Sequence, residues 1–362
     1  MTAVRTAAPE VPPLYCPLPS AVHPLAADIG RRSIAWLDGL GLFEQEGLRE
    51  HMIRTRAAEW ACRIAPFGSE ERLQIVSDWT HLGFAIDDCR FDAGALVERP
   101  GVLIPLMMRL MPNLDHPEVA ADDPFSAGFR DLSARARAAV PAAVVRRWVE
   151  GNMEWFFAVA CLTSYRVSGS MPSLADYVNL GPRDRAMRLT GSLIEIAEGT
   201  YLPDEDRERP EVRAATQAAN MLVTIGNDLY SLSKETEHDV LESNIVGVIG
   251  HEDGCDAPEA VRRAVALHDR IMCRYLRLRR RIGARGGDPV RRHLSQLDHL
   301  VRGNLEWSAR VPRYRRAEHG ERTSSPWADV PSDADPTAPP IPGIAWWWDE
   351  IEEGAQSPNA AT

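Results

Sequence analysis

The chain has 362 residues, 44% hydrophobic and 26% charged, with 41 basic against 52 acidic side chains and a formal net charge of −11. That length accommodates two domains or one large one, and so acidic a chain lacks the dense basic face that nucleic-acid binding needs. Of the 41 basic residues only Lys234 is a lysine, and it stands in Ser-Lys-Glu, which excludes a Walker phosphate loop.

Proline marks the two ends. Six of the 27 prolines fall in residues 1–24 and seven in 317–362. The first segment is expected to run as an extended strap, and 317–362, with nine acids against one arginine, to be a loose, partly disordered tail. Within that tail Trp346, Trp347 and Trp348 either dock on the body or form a sticky patch. Between the ends, over 25–316, the pattern is helical. Leu25, Ile29, Trp36 and Leu40 share one helical stripe, and Leu73, Val76, Thr80 and Gly83 share another. Residues 130–166, 184–200, 211–237, 258–282 and 289–310 also read as helices. Without alternating strands, hairpin signals or a repeat, the middle reads as one all-α domain, large for a bundle.

The six cysteines are scattered with no C-x-x-C pair, so zinc and disulfide frameworks are not expected. Met1–Glu10 has no apolar run, so no secretory leader is expected. No uncharged apolar stretch reaches the roughly 18 residues that span a bilayer. The expected setting is cytoplasmic.

Two acidic clusters carry the chemistry. Asp87-Asp88-Cys89-Arg90-Phe91-Asp92 follows the uncharged run Trp79–Ile86. On a regular helix Asp88 and Asp92 lie about 40° apart, with Asp87 alongside. Three carboxylates at the end of an apolar helix are costly to desolvate, and a divalent cation such as Mg²⁺ relieves that cost. In the second cluster, Asn227, Ser231 and Glu235 are spaced i, i+4, i+8 and offer an amide, a hydroxyl and a carboxylate oxygen from one face, with Lys234 beside them. Asn and Ser are poor formers in a helix interior, so a ligand role is favoured over a plain polar stripe.

The pair resembles the signature of the bacterial-type class I terpene synthases, an aspartate-rich motif facing N-D-x-x-S-x-x-x-E. The second motif matches in full, including the Lys before the Glu, and the first is a D-D-x-x-x-D variant. Arg313-Tyr314 resembles the family's C-terminal diphosphate-binding pair, and Trp36, Pro66 and Leu202-Pro203 are weaker echoes. The resemblance covers about residues 14–316. One departure stands out. Where the family carries a diphosphate-sensing arginine, this chain has Gly181, in Asn179-Leu180-Gly181-Pro182-Arg183-Asp184-Arg185, with a helix break expected at Gly181-Pro182. Arg185 or Arg183 is the substitute expected, and Asp184 falls at the position of the family's ionisation linker.

The resemblance implies an all-α class I terpenoid synthase-like bundle around a central apolar cavity. It implies three Mg²⁺ ions, held by Asp87, Asp88 and Asp92 on one side and Asn227, Ser231 and Glu235 on the other. Lys234, Arg313, Tyr314 and Arg185 or Arg183 would bind the diphosphate, and Phe84 and Trp307 would line the cavity. Trp155, Phe156 and Phe157 are expected to be packing residues, and His81 a satisfied polar group. The implied reaction is ionisation and cyclisation of a linear isoprenyl diphosphate, farnesyl diphosphate first and geranylgeranyl diphosphate second. The alternatives are a chain-elongating isoprenyl diphosphate synthase, which expects a second aspartate-rich motif, and a non-catalytic helical binding protein with a relic site. A protonation-initiated cyclase would want D-x-D-D, which is absent. The partner expected is the small-molecule substrate, with a homodimer compatible.

Overall fold

The computed structural model of the protein describes residues 9–44, 46–91, 99–238, 241–314 and 326–352. The chain is all-α. Its helices are α1 Ala26–Gly39, α2 Leu48–Thr55, α3 Ala57–Ile64, α4 Glu70–Ile86, α5 Pro100–Asp115, α6 Pro124–Ala139, α7 Ala142–Ser168 and α8 Leu174–Asp184. They continue as α9 Met187–Glu198, α10 Asp204–Arg207, α11 Pro210–His238, α12 Ile245–Asp253, α13 Ala257–Arg285, α14 Asp288–Ser308 and α15 Pro342–Glu352. Among the described residues the only strands are β1 Leu14–Tyr15 and β2 Trp327–Ala328, paired in parallel.

Helix α4 runs through the middle of the bundle and is buried on nearly every face. Its polar side chains are therefore tied down, as burial demands. Ser33 Oγ of α1 donates to Asp78 Oδ1 (2.6 Å), Arg135 of α6 reaches Asp78 Oδ2 (2.7 Å), and Thr80 Oγ1 donates to the Val76 carbonyl (2.7 Å). His81 Nδ1 lies 2.8 Å from the Ser77 carbonyl, and burial holds its ring below the usual histidine range. These bonds fix the height and rotation of the helix whose end carries Asp87 and Asp88.

The course of the chain differs from the sequence expectations in three places. The helix expected over 130–166 is two helices. Asp123 caps α6 by accepting from the Phe125 (2.9 Å) and Ser126 (3.3 Å) N–H groups, and Val140-Pro141 interrupts the run, because a proline offers no N–H to continue it. The break expected at Gly181-Pro182 comes instead at Ala186, whose φ is 54°.

The third difference is the tail, whose segment 326–352 is folded against the body. Asp269 on α13 accepts from the Tyr15 N–H (3.1 Å) and from the N–H (2.8 Å) and hydroxyl (2.7 Å) of Ser332, clasping both straps. In α15 Trp347 is buried, its indole N–H bonded to Gln217 Oε1 (3.1 Å) and its carbonyl to Arg274 Nε (2.7 Å), and Trp348 is buried under the Arg274 guanidinium. The aromatic area of these side chains outweighs the ordering cost that the proline and acid content suggests.

Candidate active site

The central cavity is walled by α3, α4, α7, α9, α11 and α14 and closed at one end by Arg313 and Tyr314. Its deep part is aromatic. Phe84 stacks on Trp307, with centroids 5.7 Å apart, and Trp307 meets the edge of Tyr314 at 5.5 Å. Trp155 packs edge-on to Trp79 (5.9 Å) and Phe91 (5.3 Å). The indole N–H groups are spent on fixed acceptors: Trp60 on Asn304 Oδ1 (3.0 Å), Trp79 on Asn152 Oδ1 (3.2 Å), Trp307 on the Thr55 carbonyl (3.0 Å). With these N–H groups engaged, the indoles add aromatic carbon surface to the cavity lining, and aromatic rings attract a cation.

Phe84 and Trp307 both line this cavity. Trp155, expected to be packing, also lines the cavity. Phe157 is 68% exposed, the opposite of packing, whereas Phe156 is buried.

The mouth is polar. After Ile86 the backbone widens into a π turn over Asp87–Phe91, a distortion common at functional sites. Asp88 accepts from Arg313 and from Lys234 Nζ (3.1 Å), and His51 Nε2 lies 2.8 Å away. Burial opposes ionisation there, yet Arg313 and Lys234 hold the Asp88 carboxyl well below the usual range. Arg313 also reaches Asp87 Oδ2 (3.4 Å) and lies 4.8 Å over the Phe84 ring. Asp92 lies outside the described residues.

On the facing helix, α11, Asn227 Nδ2 donates to the Tyr314 hydroxyl (2.9 Å) and Ser231 Oγ donates to Glu235 Oε1 (2.7 Å). Arg185 bridges this face to α8. Its guanidinium donates to Asn227 Oδ1 (3.0 Å), Asp228 Oδ1 (2.7 Å), Glu235 Oε1 (3.4 Å) and the Ser243 carbonyl (3.0 Å), and also to Asp184. Asp228, fully buried, accepts further from the Tyr177 hydroxyl and the Ile245 N–H (2.7 Å). Burial pushes its carboxyl up to about 7 against the pull of Arg185.

Of the two candidate arginines, the structure brings only Arg185 to the site. Arg183 bonds Glu154 Oε1 (3.0 Å), with its side chain 46% exposed. Because α8 continues through Gly181-Pro182, residues 183 and 185 sit roughly 200° apart on the helix and face opposite ways. Nor is there room for a side chain at Gly181, where a Cβ would stand 2.9 Å from the Tyr177 ring and 3.2 Å from Thr224 Cγ2 of α11.

The donors suit a hard divalent cation. Asp87, Asp88, Asn227, Ser231 and Glu235 each carry a side-chain oxygen a metal can use, and the Ser231 and Glu235 oxygens are 2.7 Å apart. Two oxygens bound side by side to one Mg²⁺ at its usual distance stand about 2.9 Å apart. Among the described residues no three His, Cys, Asp or Glu side chains form a metal cage of their own, so the amide and hydroxyl oxygens are needed to complete one. Sequence reasoning missed His51, Tyr177, Asn304 and Asp228. Only Asp228 left a trace, as the second residue of the N-D-x-x-S-x-x-x-E motif.

A family model described as terpene synthase family 2, C-terminal metal binding, matches residues 78–274, which span both acidic walls. The chain belongs to the terpene synthases. The synthase is 35% identical to bonnadiene synthase from Allokutzneria albata, over 95% of this chain and 99% of that protein. It is 31% identical to spiroviolene synthase from Streptomyces violens, over 94% and 97%. Among solved structures, the SVS_A2 protein from ancestral sequence reconstruction superposes with a TM-score of 0.85 at 35% identity, covering 94% of the synthase and 99% of that chain. The structure of a-eudesmol synthase shares the fold, with a TM-score of 0.72 at 19% identity over 81% of this chain and 97% of that one. Named cyclising relatives set aside the chain-elongating alternative. Among the described residues no helix is long and apolar enough to cross a membrane.

Proposed function

We propose that the protein ionises a linear isoprenyl diphosphate of 15 or 20 carbons and cyclises the resulting carbocation in the aromatic cavity, releasing diphosphate and a terpene hydrocarbon or alcohol. One observation carries the proposal: two oxygen-donor walls face each other at the mouth of a cavity whose depth is lined with indole and phenyl faces. Two curated relatives are named as cyclising (2E,6E)-farnesyl diphosphate and one as a diterpene cyclase, which supports both chain lengths.

Asp87 and Asp88 on one side, with Asn227, Ser231 and Glu235 on the other, would hold three Mg²⁺ ions. Bound there, the metals supply Lewis-acid charge to the departing diphosphate. Arg313, Lys234 and Tyr314 stand beside those donors and orient the head group by charge and hydrogen bonding. Arg185, joined to Asp184, Asn227 and Glu235, holds the α8–α9 break against the metal-facing side of α11 and takes the place of the sensor absent at Gly181. Trp60, Phe84, Trp155 and Trp307 then exclude water and turn π-faces toward the positive carbon. Among the described residues no side chain in the aromatic part stands out as a base, and diphosphate takes the final proton.

The test is incubation of the purified protein with geranyl, farnesyl and geranylgeranyl diphosphate, with and without Mg²⁺, under an organic overlay read by mass spectrometry. Cyclic products that depend on Mg²⁺ are expected from the C15 or C20 substrate. Absence of such products from all three substrates refutes the proposal, and longer linear diphosphates would restore the elongating alternative.

A further inference from the structure

Three consecutive residues at the entry to α12, Ser243, Asn244 and Ile245, bond to the site although they lie outside the acidic motifs. Ser243 offers its carbonyl to Arg185 (3.0 Å), and the Ile245 N–H bonds Asp228 Oδ2 (2.7 Å). Between them Asn244, fully buried, donates Nδ2 to Glu235 Oε2 (2.6 Å) and to the Asp228 carbonyl (2.9 Å). Its Oδ1 accepts from the Val246 N–H (2.9 Å) and so caps α12. Ser243 borders the cavity while Asn244 stands behind Glu235.

Resting on the metal-site reading above, we infer that Asn244 is a positioning residue for Glu235. The amide occupies Oε2, while Oε1 is shared with Ser231 and Arg185 (3.4 Å), both of which line the cavity where Asn244 does not. Glu235 would then offer a cation the oxygen that stands in register with the Ser231 hydroxyl. Without this partner the carboxylate is held at Oε1 alone, by Ser231 and Arg185, and its second oxygen loses the bond that fixes the rotation of the group. Outer partners of metal-binding side chains typically contribute about 10–100-fold in metal affinity.

Asn244→Ser separates this role from the capping role, because serine keeps an N-cap acceptor for Val246 but is too short to donate to Glu235. The probe is Mn²⁺ with inorganic diphosphate, titrated into the full chain and followed by the electron paramagnetic resonance of free Mn²⁺. Asn244→Ser is expected to keep the wild-type circular dichroism and to bind Mn²⁺ about 10–100-fold more weakly, with the Mg²⁺ requirement of turnover rising in parallel. In a Glu235→Gln background the same change is expected to add less than about twofold.

Unchanged Mn²⁺ affinity in Asn244→Ser, or an equal loss in the Glu235→Gln background, overturns the inference. So does failure of Asn244→Ser to fold, since the amide would then be serving the chain path and not Glu235. If the wild type takes up no Mn²⁺ with diphosphate, the metal-site reading itself fails. Uptake lost in Glu235→Gln but kept in Asn244→Ser sinks only this inference.

Discussion

Replacing Arg185 by alanine removes a cation that touches Asp184, Asp228 and Glu235 together. The Arg185 side chain is 13% exposed and that of Asp228 0%, so little water replaces the lost charge. Removing one partner of a buried ion pair costs about 3–5 kcal/mol, because the remaining charge is stranded. At about 2.1 cal/mol/K per residue, the 362 residues unfold with an entropy near 0.8 kcal/mol/K, and the melting midpoint falls by about 4–7 °C. The deficit is smaller at pH 6 than at pH 8, because burial already pushes the Asp228 carboxyl up to about 7 and without Arg185 it takes up a proton more readily. Arg183→Ala is the control. Its pair with Glu154 is partly exposed and contributes at most about 1 kcal/mol, a shift of roughly 1 °C. Thermal melts of both variants by circular dichroism at the two pH values decide the matter. A midpoint for Arg185→Ala within 1 °C of wild type, or a larger loss in Arg183→Ala, would show that Arg185 does not bind α8 to α11.

Asn227→Ala is expected to keep the helical circular dichroism and to lose Mg²⁺-dependent diphosphate release by at least about 100-fold, since even outer partners cost up to that much; near-wild-type release would remove Asn227 from the metal face. Asn304→Leu strands the buried Trp60 N–H and should cost about 1–3 kcal/mol in urea denaturation while shifting product ratios by mass spectrometry. The same change in a Trp60→Phe background should cost less, and equal costs would refute the pairing. His293 is buried beside Thr216 Oγ1 (2.9 Å), and burial with Arg207 lowers its pKa to about 3. The unfolded chain binds that proton first, so this stability is present above pH 6.5 and is lost as pH falls toward 3. Between pH 7.5 and 5 the loss is about 2 kcal/mol, and a His293→Gln variant whose urea midpoint falls just as steeply would refute the assignment.

Much of the site was legible because its logic is local. Asn227, Ser231 and Glu235 share a face by helical spacing alone, and a run of uncharged residues ending in Asp87-Asp88 needs no tertiary information. Choosing between Arg183 and Arg185 did need it. The choice turns on whether α8 survives Gly181-Pro182, and close packing on Tyr177 and Thr224 outweighs the local preference to break. Asn244 comes nine residues after Glu235 and beyond the end of α11, so no periodicity links them. The docked α15 was hidden for a different reason: proline and acid content describe the cost of ordering a segment, while three adjacent tryptophans supply the gain, and only a groove to receive them decides the sign.

The ion pair between Lys234 and Asp88 also makes the protein its own reporter. Lys234 carries the only side-chain amine in the chain, and it stands at the mouth of the cavity with 19% of its side chain accessible. An acylating reagent therefore has one side-chain target, and the mass added there counts how often that mouth is open. Ligands that draw Lys234 inward lower the count and those that free it raise it, without a fluorophore or an engineered residue.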